Sequence, residues 1–166
     1  LTARGHSSHA STPTAENALV SLACAIQRLA QYQSPVRLTE PVERHLDALA
    51  PTRPWHERVL LTGRRLPGLT ALVSQLPLPT VRHALRNTFA PTLAQAGRQA
   101  NVVPDVAEAN LNCRTLLGVT LPDLLDEVRG VLKGLAVDVT VRQFNPASAS
   151  PIDTPFFAAV SQVVAA

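Results

Sequence analysis

The sequence predicts an α+β fold in which a four-stranded antiparallel sheet carries two helices on one face, with a helical insertion in the middle of the chain. Residues 107–115 alternate strictly between apolar and polar side chains, as a strand does when only one of its faces is covered. Two longer segments, 14–31 and 120–134, repeat apolar residues at the spacing of an amphipathic helix. With 46% hydrophobic residues, 166 residues suffice for one domain with its own core.

The first half of the chain supplies one strand, one helix and the insertion. Residues 1–8 are predicted as the first strand, and a helix follows from about Thr14 to Gln31. Residues 33–85 contain repeated prolines, which allow only short helical pieces, so we expect a helical insertion there. Within it, Arg44–Leu49 is the best candidate for a helix.

The second half supplies three strands and one helix. The second and third strands are predicted at residues 86–94 and 107–115. The second long helix begins at Thr120, and Asp123 stands three residues later, which is close to a capping box. Apolar and polar residues alternate again from Val137 to Gln143, which predicts the fourth strand.

This order of elements is typical of a ferredoxin-like fold. Such a sheet has two open edges, and an open edge invites uncontrolled pairing unless it is covered. Two copies that pair about a two-fold axis would cover their edges, so a homodimer is expected. Residues 1–145 would form this domain. We expect residues 146–166 to be a linker and the start of a helix that belongs to another domain of a longer protein.

Composition argues against several partners. The net charge of +3 comes almost wholly from scattered arginines, since Lys133 is the single lysine. Nucleic-acid binding requires clustered basic side chains with stacking aromatics, so no nucleic-acid partner is expected. No apolar run approaches a membrane span and no secretory leader is visible, so we expect no membrane partner and a cytoplasmic location. Cys24 and Cys113 lie in apolar segments and are interpreted as buried free thiols, with a disulfide left as the alternative.

Four side chains are candidates for chemistry. His6 and His9 lie in a polar turn of small residues, where they are surface histidines, hydrogen-bond donors to a ligand, or a weak metal-binding pair. Two histidines without a nearby carboxylate or thiolate make a poor zinc site, which disfavours the last interpretation. Arg114 is either a solvated charge or a partner for an anion. Asn101 is a turn residue before a strand or a polar contact to a ligand.

The segments around these residues also resemble a known family. The resemblance is carried by Gly5–Pro13 with Ala15–Leu19 after it, and by Asn101–Ala109 leading to Cys113-Arg114. Together they resemble the dimerisation (lid) domain of the zinc-dependent carboxypeptidase, aminoacylase and acetylornithine deacetylase family. The resemblance covers about residues 1–32 and 86–144. It implies a homodimeric amide hydrolase with two zinc ions, acting on a peptide or an N-acyl amino acid.

The resemblance also assigns roles. Pro13 stands four residues after His9, as in the family motif, so His9 rather than His6 would enter the partner subunit's active site and donate a hydrogen bond to the scissile carbonyl oxygen. Asn101 and Arg114 would hold the carboxylate of the substrate. The family's zinc ligands and catalytic glutamate have no counterpart in this sequence, so we expect the fragment alone to bind no metal and to be inactive.

The sequence leaves open a different function for the chain and the type of hydrolase to which it would belong. The chain is alternatively a stand-alone ferredoxin-like module for self-association or for binding a small effector, because a fold does not determine a function. The sequence also does not distinguish a carboxypeptidase from a deacylase, nor name the preferred side chain of the substrate.

Overall fold

The computed structural model describes residues 1–64, 66, 69–76 and 78–165. It contains six strands, which are β1 (Thr2–Arg4), β2 (Ser8–His9), β3 (Thr88–Ala96), β4 (Val102–Val103), β5 (Val106–Arg114) and β6 (Val137–Asp138). Its helices are α1 (Ala18–Gln31), α2 (Glu40–Leu49), α3 (Trp55–Gly63), α4 (Leu69–Val73), α5 (Pro79–Ala84), α6 (Leu121–Val131) and α7 (Pro155–Ala165).

Four of the strands form one antiparallel sheet in the order β3-β5-β1-β6. β1 lies at the centre, where Ala3 faces Ala107 of β5 on one side and Val137 of β6 on the other. β3 pairs with β5 along almost its whole length, from Thr88 opposite Arg114 to Ala96 opposite Ala107. With β2 and β4 left aside, this is the predicted ferredoxin-like order, and the fold prediction is confirmed.

The two long helices pack on the sheet and begin at capped residues. The Asn17 side chain accepts hydrogen bonds from Leu19 N–H at 3.0 Å and Val20 N–H at 3.3 Å, so α1 begins at Ala18 rather than at Thr14. α6 has the predicted capping box between Thr120 and Asp123.

The core under the sheet forms two clusters. Both include residues of α1; the smaller also includes residues of β1 and β5, and the larger includes residues of α6 and of the loops on either side of it. The members are Ala25, Leu29, Leu116, Val119, Leu124, Val128 and Leu132 in one cluster, and Ala3, Ala18, Leu22, Ala107 and Ala109 in the other. Cys24 and Cys113 are both free, as preferred over a disulfide, but they are half-buried rather than fully buried.

The insertion has a core of its own. Its buried apolar residues come from four short helices and the turn after α2, and they are Leu46, Ala50, Leu61, Val73, Val81 and Leu85. α2 begins at Glu40, four residues earlier than predicted, because Pro41 is compatible with the first turn of a helix. Arg64 is buried and forms an ion pair with Asp47 at 2.8 Å.

The root of the insertion is held by side chains that precede β3. Arg86 donates to the carbonyl oxygen of Ser34 at 2.7 Å. Asn87 is buried, accepts from the backbone N–H of Leu116 at 2.9 Å and donates to Glu127 at 2.8 Å. Because residues 86 and 87 serve this junction, the second strand begins at Thr88 instead of Arg86.

The first predicted strand is interrupted. β1 ends at Arg4, and the chain resumes as β2, which pairs with β4 in a separate two-stranded sheet. At Gly5 the backbone passes so close to α1 that a Cβ atom would lie 2.2 Å from the carbonyl oxygen of Glu16. The prediction of one strand over residues 1–8 was wrong because this close approach turns the chain away from the sheet.

The fourth strand is shorter than predicted. The alternating pattern extended from Val137 to Gln143, whereas β6 stops at Asp138. The reason is its neighbour, since β6 pairs only with Thr2 and Ala3 of β1. Residues 139–143 extend beyond Thr2, the first residue of β1, so no residue of β1 lies opposite them.

The last helix lies apart from both cores. The Thr154 hydroxyl accepts from Phe157 N–H at 3.2 Å in the first turn of α7. Residues 155–164 are all exposed, including Phe156 at 79% and Val164 at 81%. Ala166, the last residue of the predicted linker and helix, lies outside the described residues.

Candidate functional site

His9 lies in an exposed turn that the β2–β4 pair presents. Ser8 faces Val103 and His9 faces Val102 in this pair. The turn closes after it, because Thr12 donates its backbone N–H to the carbonyl oxygen of His9 at 2.9 Å. The imidazole is therefore carried by a defined backbone conformation and is exposed to solvent.

Hydrogen bonds determine which nitrogen of His9 carries the proton in its neutral form. The backbone N–H of Ser11 donates to Nδ1 at 3.2 Å, and the Ser11 hydroxyl lies 2.8 Å from the same nitrogen. A peptide N–H can only donate, so Nδ1 must be the unprotonated nitrogen. The neutral ring then carries its proton on Nε2, which makes Nε2–H a hydrogen-bond donor available to a ligand.

Asn101 lies beside this turn. Its carbonyl oxygen accepts from Ala10 N–H at 2.9 Å, one residue after His9. Asn101 is exposed, like His9. Two of the three predicted site residues, which are 92 positions apart in the sequence, are thus brought together by the pairing of β2 with β4.

Contacts around Gly5 fix the start of the turn. Gly5 N–H donates to the carbonyl oxygen of Asp105 at 2.8 Å, and His6 N–H donates to that of Glu16 at 3.1 Å. The His6 ring also lies 2.6 Å from the Glu16 carboxylate. His6 is therefore engaged with Glu16, which precedes α1, whereas His9 keeps one ring nitrogen for a ligand.

Arg114 lies at the opposite end of the sheet. β5 starts near the turn, where Val106 faces Arg4, and ends at Arg114, which is exposed. Arg114 lies eight residue steps along the strand from Val106, which corresponds to about 27 Å. Asn101 lies near the start of β5 and Arg114 at its end, so a single protomer does not bring these two residues together.

Sequence reasoning missed the role of Ser11. A serine two residues after a histidine in a turn is a weak signal, because such serines commonly bond to nearby backbone groups. Its contact with Nδ1 depends on the turn that Thr12 and His9 close, and the structure is needed to see it.

The described part of the chain contains no group of three or more His, Cys, Asp or Glu residues that could hold a metal ion. His6 and His9 are not accompanied by a third ligand there. In the same residues, no helix is both long enough and apolar enough to cross a membrane.

Comparison with known families identifies the class of protein that has this fold. The model of the peptidase dimerisation domain of the M20 family matches residues 1–140. The chain belongs to this family of dimerisation domains.

Curated relatives and a solved structure agree with this assignment. The chain is similar to the human N-fatty-acyl-amino acid synthase/hydrolase PM20D1, with 30% identity over 151 residues, which cover 89% of this chain and 30% of that protein. The mouse protein of the same name is 28% identical over 149 residues, covering 87% of this chain and 29% of its own length. The chain thus spans less than a third of these relatives.

The fold is also that of an M20 family metallo-carboxypeptidase from Sulfolobus solfataricus, Sso-CP2. The TM-score is 0.58 at 18% identity, and the match covers 98% of this chain and 46% of that one. At this identity the likeness concerns the fold alone.

Proposed function

We propose that this chain is the dimerisation and substrate-capping domain of a homodimeric, metal-dependent amide hydrolase. The observation that carries the proposal is the pairing of β2 with β4, which holds His9 and Asn101 side by side in an exposed turn. Membership in the peptidase dimerisation family and similarity to hydrolases support it. The substrate would be a peptide or an N-acyl amino acid, the latter in keeping with the name of the human relative.

His9 would stabilise negative charge on the substrate. In amide hydrolysis the carbonyl oxygen becomes an oxyanion as the tetrahedral intermediate forms, and a fixed donor at that position lowers the barrier. The Ser11 contacts leave Nε2–H as that donor. Loss of one such donor reduces kcat by about 10²- to 10³-fold in well-studied hydrolases.

The direction of the strands supports action in trans. Upstream of Thr2 and downstream of Asp138, both β1 and β6 are directed toward the Arg114 end of the sheet. A catalytic domain connected through these strands would lie near Arg114, about 27 Å or more from the His9 turn. His9 would then serve the active site of the partner subunit, and Arg114 that of its own.

The substrate carboxylate would therefore be held by two subunits. The Arg114 guanidinium offers two parallel donors that match a carboxylate. The Asn101 amide would arrive with His9 from the other protomer. With Arg114 from one protomer and Asn101 from the other, both residues could contact the same carboxylate, although they lie far apart within one protomer.

The metal centre would lie outside this chain. The residues described here do not provide a set of ligands, and the family likeness to a metallo-carboxypeptidase concerns a longer protein. We propose, as the sequence resemblance implies, that two zinc ions are bound by a separate catalytic domain, which residues 146–166 would join. The chain alone would bind no zinc and hydrolyse no substrate.

The dimer would form through the sheet edge at β3. This edge strand exposes Leu93 at 69% of its surface. Near the start of α1, Leu19 and Val20 are also exposed, at 47% and 57%. Edge pairing of two copies would continue the sheet and cover such apolar side chains.

The test uses His9→Ala in the intact protein. We expect kcat to fall about 100-fold or more while the dimer persists, whereas His6→Ala, the matched control, retains most of the activity because its ring contacts Glu16 instead. Mixing the His9→Ala protein with a metal-site variant distinguishes trans from cis action, since only trans action gives mixed dimers one complete site. An unaltered rate for His9→Ala, or an intact protein without hydrolase activity, would favour the stand-alone module.

A further inference from the structure

A cavity of about 740 Å³ runs along the sheet beside β5. One wall is β5 from Ala109 to Arg114, the opposite wall is the segment 139–145, and the floor is the apolar face of α6 with Leu124 and Val128. Leu1 lies at one end. We call this cavity the strand slot, because it lies between β5 and the segment that follows β6.

The hydrogen bonds between β1 and β5 end at Leu1 and Ala109, which both line the slot. Leu1 exchanges two hydrogen bonds with Ala109, both 2.9 Å long. Backbone groups of an antiparallel strand point alternately to its two neighbours, so Leu111 and Cys113 direct their N–H and C=O groups into the slot. In the described chain, no strand pairs with β5 on that side beyond Ala109.

The opposite wall has the same property. Thr2 faces Asp138 in the β1–β6 pair, so in a β6 that continued as a strand Thr140 and Arg142 would also direct their backbone groups into the slot. In this structure residues 139–141 are unpaired and the backbone bends at Arg142. The sequence from Val137 to Gln143 alternates as a strand should, although only Val137–Asp138 is paired. The unpaired side of β5 and the short β6 therefore point to the same missing neighbour.

We propose that the strand slot is a strand position, which in the intact protein is filled by the five residues that precede Leu1, continuing β1 between β5 and a longer β6. This inference rests on the proposed function, in which the chain is one domain of a longer enzyme. The slot is accordingly a joint between domains, and not a pocket for substrate.

The register defines this strand. The first to fifth residues before Leu1 would lie opposite Asn110 to Arg114 in turn. Leu1 and Ala3 both face the core, so the second and fourth residues before Leu1 would face it too and be apolar. The fifth residue would lie beside Arg114 and lead into the connection to the catalytic domain. The Arg114 guanidinium would then lie at the boundary between the two domains.

Amide hydrogen exchange of the intact protein tests the proposal. We expect the slot-facing amides of Leu111, Cys113, Thr140 and Arg142 to exchange at least about 100-fold more slowly than unstructured amides, without any added substrate. The amides of Asn110 and Asn112 face β3 and serve as the internal reference. Free exchange at the slot-facing amides overturns the proposal, and so does protection that appears only when an N-acyl amino acid is added.

A matched pair of proline variants in the intact protein provides the second arm. Arg142→Pro removes an N–H that would bond to the new strand, while Gln143→Pro removes one that faces away from it. We expect Arg142→Pro to speed exchange at Leu111 and Cys113 about tenfold and Gln143→Pro to leave it unchanged; equal effects overturn the proposal. Neither readout measures hydrolysis. A protein without hydrolase activity whose slot-facing amides are protected would therefore contradict the proposed function and leave the strand proposal standing.

Discussion

The backbone N–H of Ser11 donates to Nδ1 of His9, so a residue two positions along the chain determines which ring nitrogen of the histidine is available to a ligand. The Ser11 hydroxyl adds a second contact to Nδ1 at 2.8 Å. The donor proposed for catalysis is thus oriented by its own turn, before any partner or substrate arrives.

The first prediction concerns that orientation. Ser11→Ala removes the hydroxyl and keeps the backbone donor, so the tautomer persists while the ring is held less firmly. If the intact protein has the proposed hydrolase activity, its kcat should fall about fivefold, equivalent to the ~1 kcal/mol of an ordinary hydrogen bond. Steady-state kinetics at saturating substrate measure this, with the exposed Ser7→Ala as control. Equal rates for the two variants would contradict a positioning role for Ser11.

The second prediction concerns the glycine that turns the chain toward the site. Gly5→Ala would place a Cβ atom 2.2 Å from Glu16 O and 2.8 Å from Ala18 N, both backbone atoms. The backbone must move, so we expect a loss of about 1–3 kcal/mol in the free energy of unfolding. Gly130→Ala is the control, because its Cβ meets nothing within 4 Å and alanine favours a helix by up to about 1 kcal/mol. Urea denaturation should therefore give changes of opposite sign.

The third prediction concerns the start of α6. Hydrogen bonds from the Thr120 hydroxyl and backbone N–H lower the pKa of Asp123. A lowered pKa means that the ionised side chain favours the folded state above its ordinary pKa of about 3.9, and that this contribution is lost as pH falls through the lowered value. Asp123→Asn should flatten the loss of thermal stability below about pH 4, while Asp126→Asn should not. An unchanged acid profile for Asp123→Asn would exclude a role for the cap.

The fourth prediction concerns Cys113. Burial, followed by the nearby negative charge of Glu127, raises the pKa of the Cys113 thiol to about 11. At pH 8 the thiol is therefore protonated and reacts slowly with iodoacetamide, since only the thiolate is a good nucleophile. The neutral thiol contributes stability that is complete below its ordinary pKa of about 8.5 and is lost as pH rises through the folded value. Mass spectrometry should show slow alkylation of Cys113 that accelerates when the protein is unfolded in urea.

The fifth prediction concerns the root of the insertion. Asn87→Ala leaves the buried Leu116 N–H without its acceptor and removes one donor to Glu127. We expect the free energy of unfolding to fall by about 1–3 kcal/mol. Exposed Asn145→Ala is the control and should stay within about 0.5 kcal/mol of the parent protein. Chemical denaturation that shows equal midpoints for both variants would contradict this role of Asn87.

The elements that local patterns determine were predicted well. The alternation in β5 and the capping box of α6 lie within a few residues and depend on backbone geometry alone. The short β6 was not predicted, because the length of a strand also depends on its neighbour. The break after β1 was missed for a similar reason, since the contact of Gly5 with Glu16 is made only after α1 packs on the sheet.

Part of the candidate site could likewise be predicted from the sequence, and part depends on contacts between distant segments. His9, Asn101 and Arg114 were singled out from the sequence, and their roles stay predictions. That Asn101 adjoins the His9 turn could not be read from spacing, because β2 and β4 are separated by most of the chain. The distance to Arg114 was available, since a predicted strand of nine residues is itself about 30 Å long. The cytoplasmic location also stays a prediction.

The exposed last helix has a practical consequence for measuring assembly. Along α7, Phe156, Val163 and Val164 each expose more than three-quarters of their surface, with no charged residue between them. In a concentrated solution of this domain, such a helix would adhere to its own copies and produce aggregates unrelated to the two-fold dimer. Analytical ultracentrifugation should therefore compare the domain with a variant whose α7 carries charged residues. The comparison distinguishes the two-fold dimer from nonspecific aggregation through α7.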